Sequence, residues 1–185
     1  QYPEENPFER TLFPKQIKQI EFDEHYPYLN DSIKYRFNLL WGYYLVVHIL
    51  LRLKLRIQMG LRIRGRGVLK KYKPQLQQGA ITIANHVYRL DCPCVLIAVK
   101  AKHTTRIPMF APNFRTKDGF FMNLAGGVPI PDSTTNMSAL KKFNEAFDEF
   151  HRRGWWFHIF PEACRWDMYK PLRSFQKGAF TMSYK

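Results

Sequence analysis

The sequence predicts an α/β domain with a helical segment in front of it, and three observations carry that reading. Short apolar runs that end in Gly-, Pro- or Asn-containing turns recur along the chain, as strands do. Among them lies a stretch whose apolar residues return every three or four positions, the period of a helix. Ahead of them is a run of helix length that is apolar nearly all round. With 185 residues, 45% of them apolar and 16% aromatic, the chain is long enough for one full core and too apolar for a disordered polymer.

Residues 1–31 hold seven acidic against three basic side chains and several prolines, and read as an irregular, acidic lead-in. Residues 32–60 read as a membrane-associating helical segment. Their centre, YRFNLLWGYYLVVHILL (residues 35–51), is interrupted only by Arg36, Asn38 and His48. It is shorter than the roughly 20 apolar residues that a clean span needs. Arg52, Lys54 and Arg56 follow at once, cations suited to phosphate headgroups with their stems lying along apolar surface. A helix lying in the interface fits better than a crossing one; a buried core helix with a basic tail is the other reading that the length allows.

Residues 61–185 form the expected α/β domain. LRIRGRG (residues 61–67) alternates apolar and basic positions and predicts a strand with one polar face; residues 70–78 follow as a polar loop. AITIA (residues 80–84) predicts a second strand, apolar enough to be central. Pro93 disfavours helical geometry at Cys92 and suits a first helical turn, so a helix is expected from Pro93 to about His103. IPMFAP and AGGVPIPDS read as brief strands with loops. In STTNMSALKKFNEAFDEFHRRG, Met137, Leu140, Phe143, Phe147 and Phe150 keep helical spacing, Ser and Thr are available as caps, and Gly154 is placed to stop the helix. WWFHIF (residues 155–160) predicts a buried strand, with PEACRWD as the loop leaving it.

Charge narrows the class of partner. From residue 32 to residue 90 there is no Asp or Glu, while twelve Lys and Arg are present; residues 91–185 add fourteen basic against eight acidic side chains. Such a block calls for an anionic surface, membrane lipid or nucleic acid. No nucleic-acid-binding motif accompanies it, and the tyrosines that could stack bases lie inside the apolar run, so nucleic acid is not expected as a partner. Cys92, Cys94 and Cys164 make an odd count and read as reduced thiols of a domain facing the cytosol. The acidic start, QYPEENPFER, has no apolar leader core.

The chemistry centres on ITIANHVYRLDCPC. His86 and Asp91 are five residues apart, about 140° around a helix and on opposite faces of a strand. Only a strand that ends, turns and enters a helix brings them together. Asp91 at the mouth of that helix would stay ionised, fix one tautomer of His86 and leave its other nitrogen as a base for a substrate hydroxyl. On its own such a pair is ordinarily no more than a polar turn. FPEACR also follows a strand into a loop, however, and ligands gather at the carboxyl ends of strands in open α/β sheets. Glu162 and Arg165 could bind a polar head, the Arg165 fork being suited to phosphate. The glycines of GGVPIP, Gly127 among them, allow backbone to approach a ligand, and SFQKGAF sets Lys177 beside Gly178.

NHVYRLD, GGVPIP, FPEACR and FQKGAF, in that order over residues 61–180, resemble the motifs of the glycerolipid acyltransferase family. The resemblance implies a mixed central sheet flanked by helices, resting on the cytoplasmic face of a membrane through an N-terminal helical motif. It implies His86 as general base, oriented by Asp91, with Asn85, Gly127, Glu162, Arg165 and Lys177 on the substrate side. The donor would be acyl-CoA or acyl-carrier protein, and the acceptor glycerol-phosphate or a lysophospholipid. No metal, no cofactor and no covalent enzyme intermediate are implied. The chain departs from the pattern where F-P-E continues Ala163-Cys164 instead of Gly-Thr, and where Asp132 holds the place of a phosphate-binding arginine. A negative charge there repels a phosphate unless Arg115, Lys117 or Arg165 compensates. The family's last motif, a proline-containing strand, does not follow, so the domain is expected to extend past residue 185. Three rivals remain at this stage. One is a lipid-binding protein that has lost catalysis. Another is an acyl hydrolase using Cys164 with His86 and Asp91. The third is a metal site drawn from His86, Asp91, Glu162 and the cysteines, whose C-x-C spacing lacks the usual zinc pattern.

Overall fold

A computed structural model describes residues 15–133, 135–168 and 171–181. The part of the lead-in at residues 1–14 lies outside the described residues.

The helical segment in front is present as three pieces that follow without a break: α1 (Ile33–Trp41), a π-helical stretch (Gly42–Leu51) and α2 (Arg52–Gln58). The Ser32 hydroxyl caps the start by accepting from the Tyr35 amide at 3.3 Å. One side of the run is held by the domain. Tyr43 is wholly buried, and its hydroxyl sits 2.7 Å from the Ala125 carbonyl and 3.1 Å from that of Thr105. His48 Nε2 bonds the Ala101 carbonyl at 2.7 Å. Gly42 lies so close to α6 (Gly119–Leu124) that a Cβ there would come 2.9 Å from the Leu124 carbonyl oxygen. The opposite side is apolar and open: Ile33 is 88% exposed, Phe37 65% and Ile57 77%. No helix among the described residues is long and apolar enough to cross a membrane.

LRIRGRG is not a strand. Residues 61–65 have no sheet partner, and the chain turns into α3 (Arg66–Lys71) and α4 (Lys73–Leu76), where a polar loop was expected. The alternation did report two-sidedness correctly: Leu61 and Ile63 pack on the core formed by Leu39, Tyr43, Leu55 and Leu96. They bury against helices, and period two cannot specify what a strand-like segment pairs with. Arg66 instead reaches across to α5 (Asp91–Ala98), donating to its terminal carbonyl of Ile97 at 2.7 Å, where a cation is favoured. That helix starts two residues earlier than Pro93 implied and takes Cys92 into its first turn; it also stops short of the lysines expected at its end.

Four short strands make up the described sheet: β1 (Ile81–Ile83), β2 (Ile107–Met109), β3 (Gly127–Pro129) and β4 (Phe157–Ile159). β1 pairs with β4 and β2 with β3, each in parallel, so the pairings described are parallel where a mixed sheet was expected. The two pairs meet through Arg106, whose amide donates to Trp156 and whose carbonyl accepts from His158, giving the order β1–β4–β2–β3. β4 is therefore an inner strand, as is β2, and is fully buried, whereas β1, expected to be central, is an edge among the described strands with Ile83 exposed.

The clearest helix of the sequence is α7 (Met137–Arg152). Phe143, Phe147 and Phe150 are buried against Phe157 and Tyr28 as the spacing predicted, each contributing about 2–3 kcal/mol of apolar burial. Met137 falls outside the buried stripe, and the cap is Asn136, whose Oδ1 accepts from the Ala139 amide at 3.0 Å, not Ser or Thr. Gly154, at φ 67°, ends the helix.

The lead-in from residue 16 to residue 31 has no regular structure, yet it is firmly attached. Arg115 donates to the Ile20 carbonyl at 2.7 Å and pairs with Asp132, which in turn accepts from the Phe22 amide at 3.0 Å. Phe22 and Tyr28 are buried. Farther along, Arg153 grips Asp31 with two bonds of 2.7 and 2.8 Å.

Candidate active site

β1 ends at Ile83, and the chain crosses a turn before entering α5 at Asp91. That turn is folded around one carboxylate oxygen. Asp91 Oδ2 accepts from His86 Nδ1 at 3.0 Å and from the amides of Val87 and Tyr88, both at 2.7 Å. Burial works against ionising Asp91, but the bonds from His86, Tyr88 and Val87 outweigh it and hold the carboxyl below the ordinary range. An ionised Asp91 can only accept, so Nδ1–H is the donor, and in the neutral ring Nε2 is then the nitrogen with a free lone pair. The ring lies flat on Phe160, with centroids 4.2 Å apart and planes 20° from parallel.

The loop leaving β4 closes on the same turn. Glu162 is 2% exposed, and its Oε1 accepts from the His86 amide at 3.3 Å. Burial pushes the Glu162 carboxyl up; the His86 amide and the Arg173 guanidinium pull it down without overcoming that push. Farther along, the Trp166 amide donates to the His86 carbonyl at 3.2 Å and the Met168 amide to that of Val87 at 2.8 Å. His86 is thus bound by its amide, its carbonyl, its Nδ1 and one ring face.

The other residues singled out in the sequence are not all gathered here. Asn85 is exposed beside His86. Arg165 is half-buried, with Nε 2.9 Å from Asp167 Oδ1. Lys177 is exposed, directly before α8 (Gly178–Thr181). Gly127 lies apart. Met109, Met122 and Phe114 crowd the place where its side chain would be, so its small size serves packing. It also lines a cavity of about 340 Å³ among the lead-in, α1, α6 and β3, which neither His86 nor Glu162 touches. Cys164 Sγ is directed at the Arg165 carbonyl, 3.7 Å away. No group of three or more His, Cys, Asp or Glu side chains among the described residues is placed to hold a metal ion.

Three neighbours of the site escaped the sequence reading. Phe160 was visible only as part of a motif, and nothing in its spacing says that it stacks on His86. Arg173 is buried, near Glu162 and 4.6 Å over the Trp166 ring, and no regular element links it to the loop in sequence. His158, wholly buried on β4, donates from Nδ1 to Thr82 Oγ1 at 3.0 Å, since that hydroxyl is itself spent on the Phe157 carbonyl. Burial pushes its pKa down to about 4.

Comparison with known proteins adds one finding. Residues 61–185 match the family model described as Acyltransferase. No curated protein matches the chain, and no solved structure does.

Proposed function

Because the chain belongs to the acyltransferase family, the glycerolipid acyltransferases that its motifs resemble, we propose that it moves a fatty acyl group from acyl-CoA or acyl-carrier protein to a hydroxyl of glycerol-phosphate or a lysophospholipid. The observation that carries the proposal is the bond from His86 Nδ1 to Asp91, which leaves Nε2 able to accept a proton. Nε2 takes the proton of the acceptor hydroxyl as its oxygen forms a bond to the thioester carbonyl carbon. The tetrahedral adduct collapses, the carbon–sulfur bond breaks, and the departing thiolate recovers the proton from the imidazolium. Ester and free thiol are the products, and the enzyme ends as it began. Phe160 and Asp91 keep the ring from turning during both proton transfers. Arg165 and Lys177 supply positive charge for an acceptor phosphate, Asn85 a neutral contact beside the base. Glu162 holds the turn from within.

In this proposal the reaction runs at the cytoplasmic face of a membrane. Ile33, Phe37, Leu40 and Tyr44 recur at spacings of four and three along the exposed side of the helical run, Leu53 and Ile57 continue it, and Arg52, Lys54 and Arg56 flank it. That combination suits an anionic lipid surface. A panel of lysophospholipids and glycerol 3-phosphate, run with labelled acyl-CoA and acyl-carrier protein beside His86→Ala, tests the assignment. The variant is expected to lose roughly 10²- to 10⁴-fold in kcat while keeping its circular dichroism and its sedimentation with anionic vesicles. Undiminished transfer by a folded variant removes His86 from the mechanism.

A further inference from the structure

We infer that Asp167 is a specificity-determining residue: a carboxylate belonging to the chain that competes with the acceptor's phosphate monoester for Arg165. The identity of the acceptor rests on the acyl-transfer reading above; the competition rests on the geometry of the loop. Arg165 lies three residues beyond Glu162, and the segment after it is fixed against the His86 turn by the bonds from Trp166 and Met168. The backbone that follows Arg165 is therefore tied to the turn that carries the base. Its partner is Asp167, Oδ1 of which lies 2.9 Å from Nε.

The pair is close but badly aimed. Arg165 Nε is buried and makes no hydrogen bond, so at 2.9 Å the contact is coulombic, with the N–H directed elsewhere. A buried donor left in that state is costly, and a second acceptor improves on it. Asp167 itself is 53% exposed at its side chain, so ordering it gains little and displacing it costs little. A phosphate monoester brings three oxygens and close to two negative charges, enough to satisfy Nε and outcompete a single carboxylate.

Two other arginines are already engaged. Arg115 serves the lead-in and Asp132. Arg173 is buried against Trp166. Arg165, beside the exposed Arg89 of the His86 turn, is then a guanidinium that an acceptor can reach, and Asp167 sets how much charge that acceptor must bring to Arg165. Neutral acceptors meet no such competitor.

The test is a binding measurement on the whole chain, independent of turnover. Calorimetric titration with glycerol 3-phosphate, inorganic phosphate and a lysophosphatidate in neutral detergent is run on the wild type, Asp167→Asn and Asp167→Ser. Both variants are expected to bind at least one of these phosphates about fivefold tighter, and which one responds identifies whether the site reads a free phosphate or a lipid headgroup. The gain is expected to vanish when Arg165→Gln is added to either variant. Glu145→Gln, an equal change of charge on α7, is expected to change nothing. An unchanged affinity in both Asp167 variants overturns the inference. So does a gain that survives Arg165→Gln, or an equal gain from Glu145→Gln. Failure to detect acyl transfer by the wild type, with the binding gain intact, defeats the catalytic reading alone.

Discussion

Two corners of the sheet use the same device to opposite ends. Beyond β1, the carboxylate of Asp91 gathers two backbone amides and the imidazole of His86, and one ring nitrogen is left over. Beyond β3, the carboxylate of Asp132 gathers the Phe22 amide and the guanidinium of Arg115, and the acidic lead-in is drawn across that end. Both carboxyls are held below their ordinary range by these donors against the opposing effect of burial. The chemistry differs because of what each aspartate holds. An imidazole bonded at one nitrogen keeps a second for a substrate; a guanidinium committed to a carboxylate and to the Ile20 carbonyl fastens a segment of chain. The position to which the resemblance assigned phosphate binding serves here as a clasp, so under the proposed function the charge of a phosphate acceptor would have to be met elsewhere.

Breaking the first corner is expected to have the largest effect. Asp91→Asn leaves three donors facing an amide that offers them less, and should lower kcat by roughly 10²-fold or more and stability by about 1–3 kcal/mol. The pH dependence sharpens this. Since the folded pKa of Asp91 lies below 3.8, its contribution is complete above that value and is lost as pH falls through the still lower folded value. Denaturant midpoints of wild type and variant should therefore differ most above pH 3.8 and converge below it. A gap that stayed constant into acid would mean that the ionised carboxylate is not what stabilises the turn. The second corner should respond differently. Asp132→Asn is expected to cost about 1 kcal/mol and to speed proteolytic cutting near residues 16–22, with kcat almost unchanged. A loss of turnover matching that of Asp91→Asn would show that the corners act as one site.

The smallest effect concerns the loop that joins Glu162 to the first corner. Ala163 sits at φ 55°, a left-handed conformation that costs an alanine roughly 1 kcal/mol relative to glycine. Ala163→Gly should raise the melting temperature by about 2–4 °C with no change in transfer. An unchanged or lower melting point would place the strain elsewhere.

What could be read from the sequence divides along the same line. Phe143, Phe147 and Phe150 announced α7 because burial on one side repeats with the helical period. The meeting of His86 with Asp91 could be derived because two regular geometries forbid it and a strand–turn–helix allows it. LRIRGRG misled because alternation records which sides are wet and dry, and Leu61 and Ile63 found a helical core where a neighbouring strand was expected. The place of β1 at an edge, the bond from Glu162 to the His86 amide and the clasp at Asp132 join residues tens of positions apart, and no local pattern encodes such pairings. The π-helical widening at Gly42–Leu51 had no signal in composition either.

The close approach of Gly42 to Leu124 has a mechanical consequence. With no room for even a methyl group between them, and with Tyr43 and His48 bolted to the carbonyls of Ala125, Thr105 and Ala101, the open flank of the front helix cannot swing independently of the sheet. A surface that received Phe37 and Ile57 would be coupled through these contacts to the body that carries His86. A bulkier residue at position 42 would have to push the front helix off α6, at an overpacking cost of about 1–3 kcal/mol.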